Sequence, residues 1–207
     1  MSAPSPNPDQ IEIRDAACIV LIDGTTSSSR ILMGRRRVDQ IFLPDKWVFP
    51  GGRVDADDRE CSLAEQFTGL PQWLRPFACA AIRELQEETG LHWRSSINDG
   101  GLSPLARAIT PPGRVRRYDT WFFSANAGDA AAKPFDGDGE LLDLAWFTLD
   151  DARRLDVPTI TRLMLEEAAR LIAAPATAAC DCAPFYFQGA RGFERKFVAC
   201  GPAAAPP

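Results

Sequence analysis

Three glutamates and one arginine stand within residues 83–88 of the segment RELQEETGL, in a chain whose formal net charge is already -5. On an α-helix, at about 100° per residue, Glu84, Glu87 and Glu88 fall within a sector of about 100°. Like charges four residues apart, as at Glu84 and Glu88, repel each other and cost stability. Hard oxygen ligands at this spacing are what Mg²⁺ or Mn²⁺ binds, with waters and substrate phosphates completing the coordination. The segment therefore predicts a divalent-cation site; the alternative is a solvated helix face that serves only solubility.

The residues around these glutamates are suited to holding them in place. Arg83 lies four residues before Glu87, close enough on a helix to pair with it. Gly90 suits the left-handed residue that ends a helix. Apolar residues cluster on the opposite side of the helix, at Ala78, Ile82 and Leu85. One face is therefore expected to be buried and the other strongly anionic.

The elements that position this helix are predicted from apolar runs and turn signals. Strands are expected at 13–22, 31–36, 47–49, 119–125 and 141–147, the first two forming a hairpin. Helices are expected at 60–73, 77–89 and 160–173. Strands and helices in mixed order indicate an α/β (α+β) fold with a mixed sheet covered by helices on its faces.

The segment at 83–91 resembles the end of the Nudix box, G-x5-E-x7-R-E-U-x-E-E-x-G-U with U aliphatic, at every specified position. The preceding segment FPGGRVD, at 49–55, resembles the glycine loop of the same motif. Six residues after Gly52 stands Asp58, where the family has glutamate, and 24 residues rather than seven then precede Arg83. The resemblance extends over 13–173 and implies an α/β/α sandwich with a mixed central sheet and an insertion inside the box.

Resemblance to the Nudix family implies hydrolysis of a diphosphate joined to another group, often within a nucleotide, with Mg²⁺ or Mn²⁺ assisting attack by water. Glu84 and Glu88 are then the principal metal ligands, and Glu87 is a further ligand or an acid that binds through water. Arg83 orients these carboxylates.

Two further features of the site follow from the same resemblance. Gly51 and Gly52 let the backbone turn tightly and approach the start of the helix closely. The family takes its general base from the helix or from a distant loop, and Glu140 is the candidate for the distant acid. A solvated loop acid is the alternative for Glu140.

The chain divides into three parts. Residues 1–10 are expected to form a loose tail, 11–174 a domain that resembles the Nudix fold with an insertion at about 59–75, and 175–207 an extension of unassigned role, for which an extra strand or a homodimer contact is considered. The insertion has apolar residues at helical spacing, which predicts a packed extra helix, with a substrate lid as the alternative. These residues are Leu63, Phe67, Leu70 and Leu74.

Two groups of arginines are candidates for binding phosphate in this acidic chain. The first includes Arg35 and Arg36, and the second includes Arg116 and Arg117. The alternative is that both groups are surface charges that balance nearby acids.

The substrate is suggested by three further segments, ILMGRR, FPGGRVD and ITPPGRVRRYDTWFFSA. They resemble the coenzyme A diphosphatase branch of the family, of the peroxisomal type, and favour coenzyme A or acyl-CoA as substrate. Nucleoside diphosphate sugars, ADP-ribose, NADH and dinucleotides are the alternatives. A nucleotide-binding module without catalysis and an acidic interaction domain without a ligand are the competing classes of function.

Composition excludes several other classes. A net charge of -5 and a pI near 5.0 argue against a broad basic face for nucleic acid. The longest apolar run, at 16–22, is far below the roughly 20 residues that cross a bilayer. Six cysteines without a disulfide rhythm indicate a reduced cytoplasm, and the Cys180 and Cys182 pair lacks the spacing of a zinc site.

Overall fold

The computed structural model describes residues 11–24, 28–62, 67, 69–93, 101–173, 183–189 and 192–197. The strands are β1 (Ile13–Asp23), β2 (Arg30–Arg36), β3 (Trp47–Val48), β4 (Gly51–Arg53), β5 (Ser103–Ile109), β6 (Arg117–Asn126), β7 (Leu141–Thr148), β8 (Pro184–Gly189) and β9 (Gly192–Phe197). The helices are α1 (Ala56–Arg59), α2 (Arg75–Thr89), α3 (Leu149–Arg154) and α4 (Thr159–Ala173), with short 3₁₀ turns at Gln72–Leu74 and Gly128–Ala132.

The strands form one mixed sheet in the order β3-β2-β1-β6-β5-β8-β9, with β4 paired to β1 and β7 paired to β2. β1 and β6 run parallel over ten residue pairs, from Ile13 opposite Arg117 to Ile22 opposite Asn126. β1 and β2 form the predicted antiparallel hairpin. Parallel and antiparallel pairings in one sheet confirm the mixed sheet expected from the order of the elements.

Buried side chains of the central strands form two parts of the core, one on each face of the sheet, because successive side chains of a strand point to opposite faces. Ala17, Ile19 and Leu21 of β1 pack on one face against α2. Val20 and Ile22 pack on the other face with residues of α3 and α4. Helices therefore cover both faces, which confirms the α/β/α sandwich.

The helix predicted at 60–73 does not form over the described part of that segment. The one-turn helix α1 precedes it, and a 3₁₀ turn at Gln72–Leu74 leads directly into α2. Gly69 and Pro71 stand just before this turn, and both residue types disfavour a helix interior. The apolar pattern was nevertheless informative, because Phe67, Leu70 and Leu74 are buried in the core beside α2. Their burial supports a packed insertion rather than a lid; Leu63 lies outside the described residues.

The C-terminal extension contributes two strands to the sheet. β8 pairs in parallel with β5, and β9 pairs in antiparallel fashion with β8. The carboxylate of Glu167 on α4 accepts hydrogen bonds from Tyr186 of β8 and from Arg195 of β9, whose Nε lies 2.6 Å from Oε1. The hairpin is thus attached both to the sheet edge and to α4. Cys180 and Cys182 lie outside the described residues.

No helix in the described part of the chain is both long and apolar enough to cross a membrane.

Candidate active site

The guanidinium of Arg83 on α2 is held from the side of α1 by Asp58. Nε and Nη2 of Arg83 donate to the two carboxylate oxygens of Asp58 at 3.1 Å and 2.9 Å. Asp58 is only 4% exposed and also accepts a bond from the backbone N–H of Asp55 at 2.8 Å. Two parallel charged hydrogen bonds fix an arginine in both position and orientation. Asp58 therefore lies at the site, despite the insertion that separates it from Arg83.

The remaining donors of Arg83 face the glutamates of its own helix. Nη1 donates to Glu84 Oε1 and to Glu87 Oε2, each at 2.9 Å. The predicted pairing with Glu87 is therefore present, and the same nitrogen also orients Glu84. Hydrogen bonding to Asp58 and the charge of Glu84 raise the pKa of Arg83, so this cation stays charged.

Glu88 is the most deeply buried of the three glutamates. It is 1% exposed, and its Oε2 accepts a hydrogen bond from the backbone N–H of Gly51 at 2.8 Å. Burial raises its pKa well above the ordinary value, the bond from Gly51 opposes this shift, and the charges of Glu84 and Glu140 add to it. Burial likewise raises the pKa of Glu84, against the pull of Arg83. The site thus gathers acidic groups whose ionised forms are poorly solvated.

The helix does not divide into one buried face and one anionic face as expected, because part of the anionic face is buried as well. The side chain of Glu87 is 50% exposed, whereas that of Glu84 is 15% exposed and Glu88 is buried. Two of the three carboxylates therefore lie beneath neighbouring chain rather than on the surface.

The neighbouring chain is the glycine loop. β4 pairs with β1, Gly52 opposite Ala17 and Gly51 opposite Cys18, which brings the loop over the carboxylates of α2. A Cβ added at Gly52 would lie 2.2 Å from Glu84 Oε1, so this close approach requires glycine. The predicted tight contact between loop and helix is present.

A second loop brings Glu140 to the same site. The backbone N–H groups of Asp136 and Asp138 donate to the carbonyls of Thr89 and Glu87 at 3.0 Å and 2.8 Å. These bonds attach the loop to the last turn of α2, where helix carbonyls lack partners within the helix. Oε1 of Glu140 then lies 3.2 Å from Nη2 of Arg36. The charge of Glu140 also contributes to the raised pKa of Glu84 and of Glu88.

These loops and the helix line a cleft of about 480 Å³. The predicted site residues that line it are Arg36, Gly51, Gly52, Arg83, Glu84, Glu87, Arg116 and Glu140. Glu88 lies beneath Gly51. Acidic side chains therefore meet four arginines, Arg36, Arg53, Arg83 and Arg116, within one concave site.

The carboxylates of α2 present oxygen donors that a divalent cation could bind. Across the residues that the structure describes, no three His, Cys, Asp or Glu side chains are already grouped as a metal shell. Glu84 and Glu88 nonetheless offer two hard oxygen donors, whose mutual repulsion a cation would relieve. Mg²⁺ is commonly held by one or two carboxylates, with water and substrate phosphates as its other ligands. The donor set fits such an ion.

Residues 69–168 match the family model described as the NUDIX domain. Over these residues, just under half of the chain, the protein is similar to the Nudix family. The match begins after the glycine loop and Asp58, which the insertion separates from α2 in sequence. The fold brings the glycine loop and Asp58 back beside α2.

Two Nudix hydrolases are similar to this chain. A Caenorhabditis elegans protein provisionally named nudix hydrolase 7 is 36% identical over 101 residues, which cover 46% of this chain and 30% of that protein. A crystal structure of a NUDIX hydrolase from Alicyclobacillus acidocaldarius has a TM-score of 0.65 and 26% identity, covering 81% of this chain and 95% of the other. This chain thus spans less than a third of the C. elegans relative.

One further solved structure shares the fold. The NUDIX domain of Shewanella oneidensis NrtR, complexed with ADP ribose, has a TM-score of 0.53 and 14% identity, and the match covers 80% of this chain and 93% of that domain.

Two predicted phosphate ligands lie outside the cleft. Arg35 pairs with Asp45 and Asp143, each at 2.6 Å, and Nε of Arg117 donates to the carbonyl of Thr110 at 3.1 Å. Each is the sequence neighbour of an arginine that does line the cleft. Since adjacent strand residues point to opposite faces, only one of Arg35 and Arg36 can face it.

Several residues that line the cleft were not predicted from the sequence. Cys18, Gln40 and Tyr118 line the cleft, and Gln40 Oε1 accepts a bond from Arg36 Nη2 at 3.0 Å. Gln40 stands in a loop without periodicity, so no pattern singled it out. Tyr118 directly follows the arginine group and lies at the start of β6, where its position beside the cleft depends on the pairing of β6 with β1.

Proposed function

We propose that this Nudix domain hydrolyses a diphosphate linkage in a nucleotide-type substrate, with Mg²⁺ or Mn²⁺ held by Glu84 and Glu88. The observation that carries the proposal is the burial of these two carboxylates beneath the Gly51 and Gly52 loop, in a cleft that also presents Arg36 and Arg116. Nudix hydrolases generally need divalent cations, and the two glutamates are suitable ligands. Glu87, more exposed and held by Arg83, is the candidate for a contact through water.

The cation supplies neutralisation of the diphosphate charge and activation of the attacking water. The protein positions the substrate phosphates and the carboxylates. Arg36 and Arg116 bind substrate phosphate oxygens, and Arg83 with Asp58 keeps Glu84 and Glu87 in orientation. The glycine loop limits access of bulk water to Glu88.

Glu140 is our candidate for the general base. It lines the cleft with its side chain 40% exposed, so it can exchange a proton with solvent after each turnover. Its ion pair with Arg36 keeps the carboxylate near the phosphates. Glu87 is the alternative base on the helix itself, since it also lines the cleft.

Within this class we favour coenzyme A or acyl-CoA as the substrate, because three segments of the chain resemble that branch. ADP-ribose, NADH and dinucleotides are the alternatives. A binding module without catalysis is the competing function, and ADP ribose in the NrtR domain gives a concrete ligand for it. Retention of all three helix glutamates favours the enzyme. We further propose a cytoplasmic protein, since that compartment keeps thiols such as those of Cys18, Cys61 and Cys79 reduced.

The experiment is incubation of the protein and Mg²⁺ with coenzyme A, an acyl-CoA, ADP-ribose, NADH, diadenosine polyphosphates and nucleoside triphosphates, followed by ³¹P NMR. Cleavage of a diphosphate in one of them, lost when EDTA is added, is the expected result. Tight binding of one compound without cleavage would favour the binding module. No phosphorus-containing product from any compound would contradict the proposed catalysis.

A further inference from the structure

A second cavity adjoins the cleft and has a different chemical character. Its volume is about 740 Å³, within the range of about 300–1,000 Å³ typical of small-molecule sites. Seven residues line both spaces, among them Cys18, Phe42 and Tyr118. The rings of Phe42 and Tyr118 meet edge to face, with centroids 5.2 Å apart, at this shared wall. A molecule in the cleft can therefore extend along these rings into the second cavity.

The walls of the second cavity are mostly apolar. Six of its apolar residues are Ile41, Pro44, Ile109, Val115, Ile160 and Phe193. Among the described residues that line it none is acidic, and its charged side chains are Lys46, which pairs with Asp156 at 2.6 Å, and Arg114. The cleft beside it, in contrast, contains Glu84, Glu87 and Glu140. One space suits a metal and phosphates, and the other suits a group without charge.

Two large apolar side chains on the wall of this cavity are exposed to solvent. Ile41 is 65% exposed and Val115 is 68% exposed. Apolar side chains that remain exposed to water at the wall of an apolar cavity indicate a surface that a ligand covers.

The cavity is also partly built by segments beyond the family match at 69–168. Ile41, Phe42 and Pro44 precede the match, and Gly192 and Phe193 belong to the C-terminal hairpin that follows it. The hairpin is held by its pairing with β5 and by Glu167, as described above. This gives the extension a role in shaping a binding site.

We propose that the second cavity binds an apolar chain attached to the diphosphate of the substrate. The diphosphate lies in the cleft between Arg36, Arg116 and the glutamates, and the chain passes Phe42 and Tyr118 into the second cavity. This inference rests on the proposed function and narrows its substrate class to diphosphates whose second substituent carries an alkyl or acyl chain. A sugar would leave the apolar walls without a matching partner.

The test uses two substrates that differ only in the chain, the methyl and the octyl β-esters of ADP, with Mg²⁺ present. Each buried methylene group adds favourable transfer free energy, so the octyl ester should have a KM at least about 10-fold lower, with a similar kcat. Ile41→Ser and Val115→Ser should each reduce this preference by about 3-fold or more, because each removes apolar wall area. Neither should change kcat/KM for the methyl ester. Leu171→Ser is the matched control, since Leu171 is 44% exposed on α4 and does not line the cavity.

Binding gives a readout that does not depend on turnover. Calorimetry with the Glu88→Gln variant should show tighter binding of the octyl ester than of the methyl ester, and Val115→Ser added to that variant should remove most of the difference. Equal binding of the two esters would overturn the inference. If the wild type hydrolyses both esters equally well, the proposed function stands and the inference fails. If neither ester is hydrolysed but the octyl ester binds tighter through Val115, the inference stands and the proposed function fails for these substrates.

Discussion

Asp58 and Arg83 form a two-pronged ion pair across 25 positions of sequence, with nitrogen-to-oxygen distances of 3.1 Å and 2.9 Å. The insertion separates these residues in sequence but not in space. The helix that precedes it, α1, packs against the helix that follows it, α2. Through Arg83, the pair fixes Glu84 and Glu87 relative to the glycine loop. The carboxylate site therefore depends on a residue that is not on the carboxylate helix.

Replacement of Asp58 tests this dependence. Asp58→Asn should lower the free energy of unfolding by about 1–3 kcal/mol, because it weakens a charged hydrogen-bonded pair whose acid is buried. Activity should fall as well, since Glu84 loses part of its support. Asp57→Asn is the control, as Asp57 is an exposed neighbour on α1. Thermal unfolding and kcat measured for both variants check the prediction, and equal effects at the two positions would contradict it.

Gly52→Ala should displace the carboxylate of Glu84, because the added Cβ would lie 2.2 Å from its Oε1. The carboxylate is the end of a flexible side chain, so the fold should survive while affinity for Mn²⁺ falls by roughly 10-fold or more. Gly69→Ala is a matched control, since its added Cβ would meet no atom within 4 Å. Calorimetric titration with Mn²⁺ measures the difference. Unchanged affinity in Gly52→Ala would show that the close contact is irrelevant to the metal.

Glu140→Gln distinguishes the two candidates for the general base. If Glu140 removes the proton from the attacking water, kcat should fall by about 100-fold or more, with a smaller change in KM. Glu87→Gln, made in parallel, should reduce kcat by less. Steady-state rates over a range of pH check both variants, and a larger loss in Glu87→Gln would transfer the role to the helix.

The C-terminal hairpin should make the fold sensitive to acid through Glu167. Burial raises the pKa of Glu167, but hydrogen bonds from Arg195, Tyr186 and Arg170 outweigh it, so the pKa is lower than the ordinary 4.5. The ionised form therefore stabilises the fold above about pH 4.5, and this contribution is lost as pH falls through the folded-state pKa. Urea unfolding at a series of pH values should show a weaker acid dependence in Glu167→Gln than in wild type. Glu60→Gln, at an exposed position, should match wild type; identical acid dependence in all three would refute the assignment.

Local sequence was sufficient to predict the parts of the site that lie within one helix. The pairing of Arg83 with Glu87 follows from helical spacing, and the left-handed Gly90, with a φ of 73°, follows from its place after the last turn. The alternation of β1 between the two faces of the sheet likewise follows from its apolar run. These features follow from the repeat of about 3.6 residues in a helix and about 2 residues in a strand. Residues close together in sequence are sufficient to show such a repeat.

Contacts between distant segments could not be predicted in the same way. The role of Asp58 depends on how the insertion packs, and the helix expected there was interrupted at Gly69 and Pro71. Arg35 and Arg36 are chemically alike, and only the orientation of β2 determines which of them faces the cleft. The pairing of β8 with β5 joins segments far apart in sequence, and no local pattern specifies such a partner.

The central claim is that Glu84 and Glu88 bind a divalent cation for catalysis, and calorimetric titration with Mn²⁺ tests it most directly. Wild type should bind Mn²⁺ with an affinity at least about 10-fold above that of Glu88→Gln, because the variant replaces a hard anionic donor with a neutral amide. Glu60→Gln, which alters an exposed glutamate away from the cleft, should bind like wild type. Equally weak binding by wild type and Glu88→Gln would contradict the metal site and the mechanism built on it.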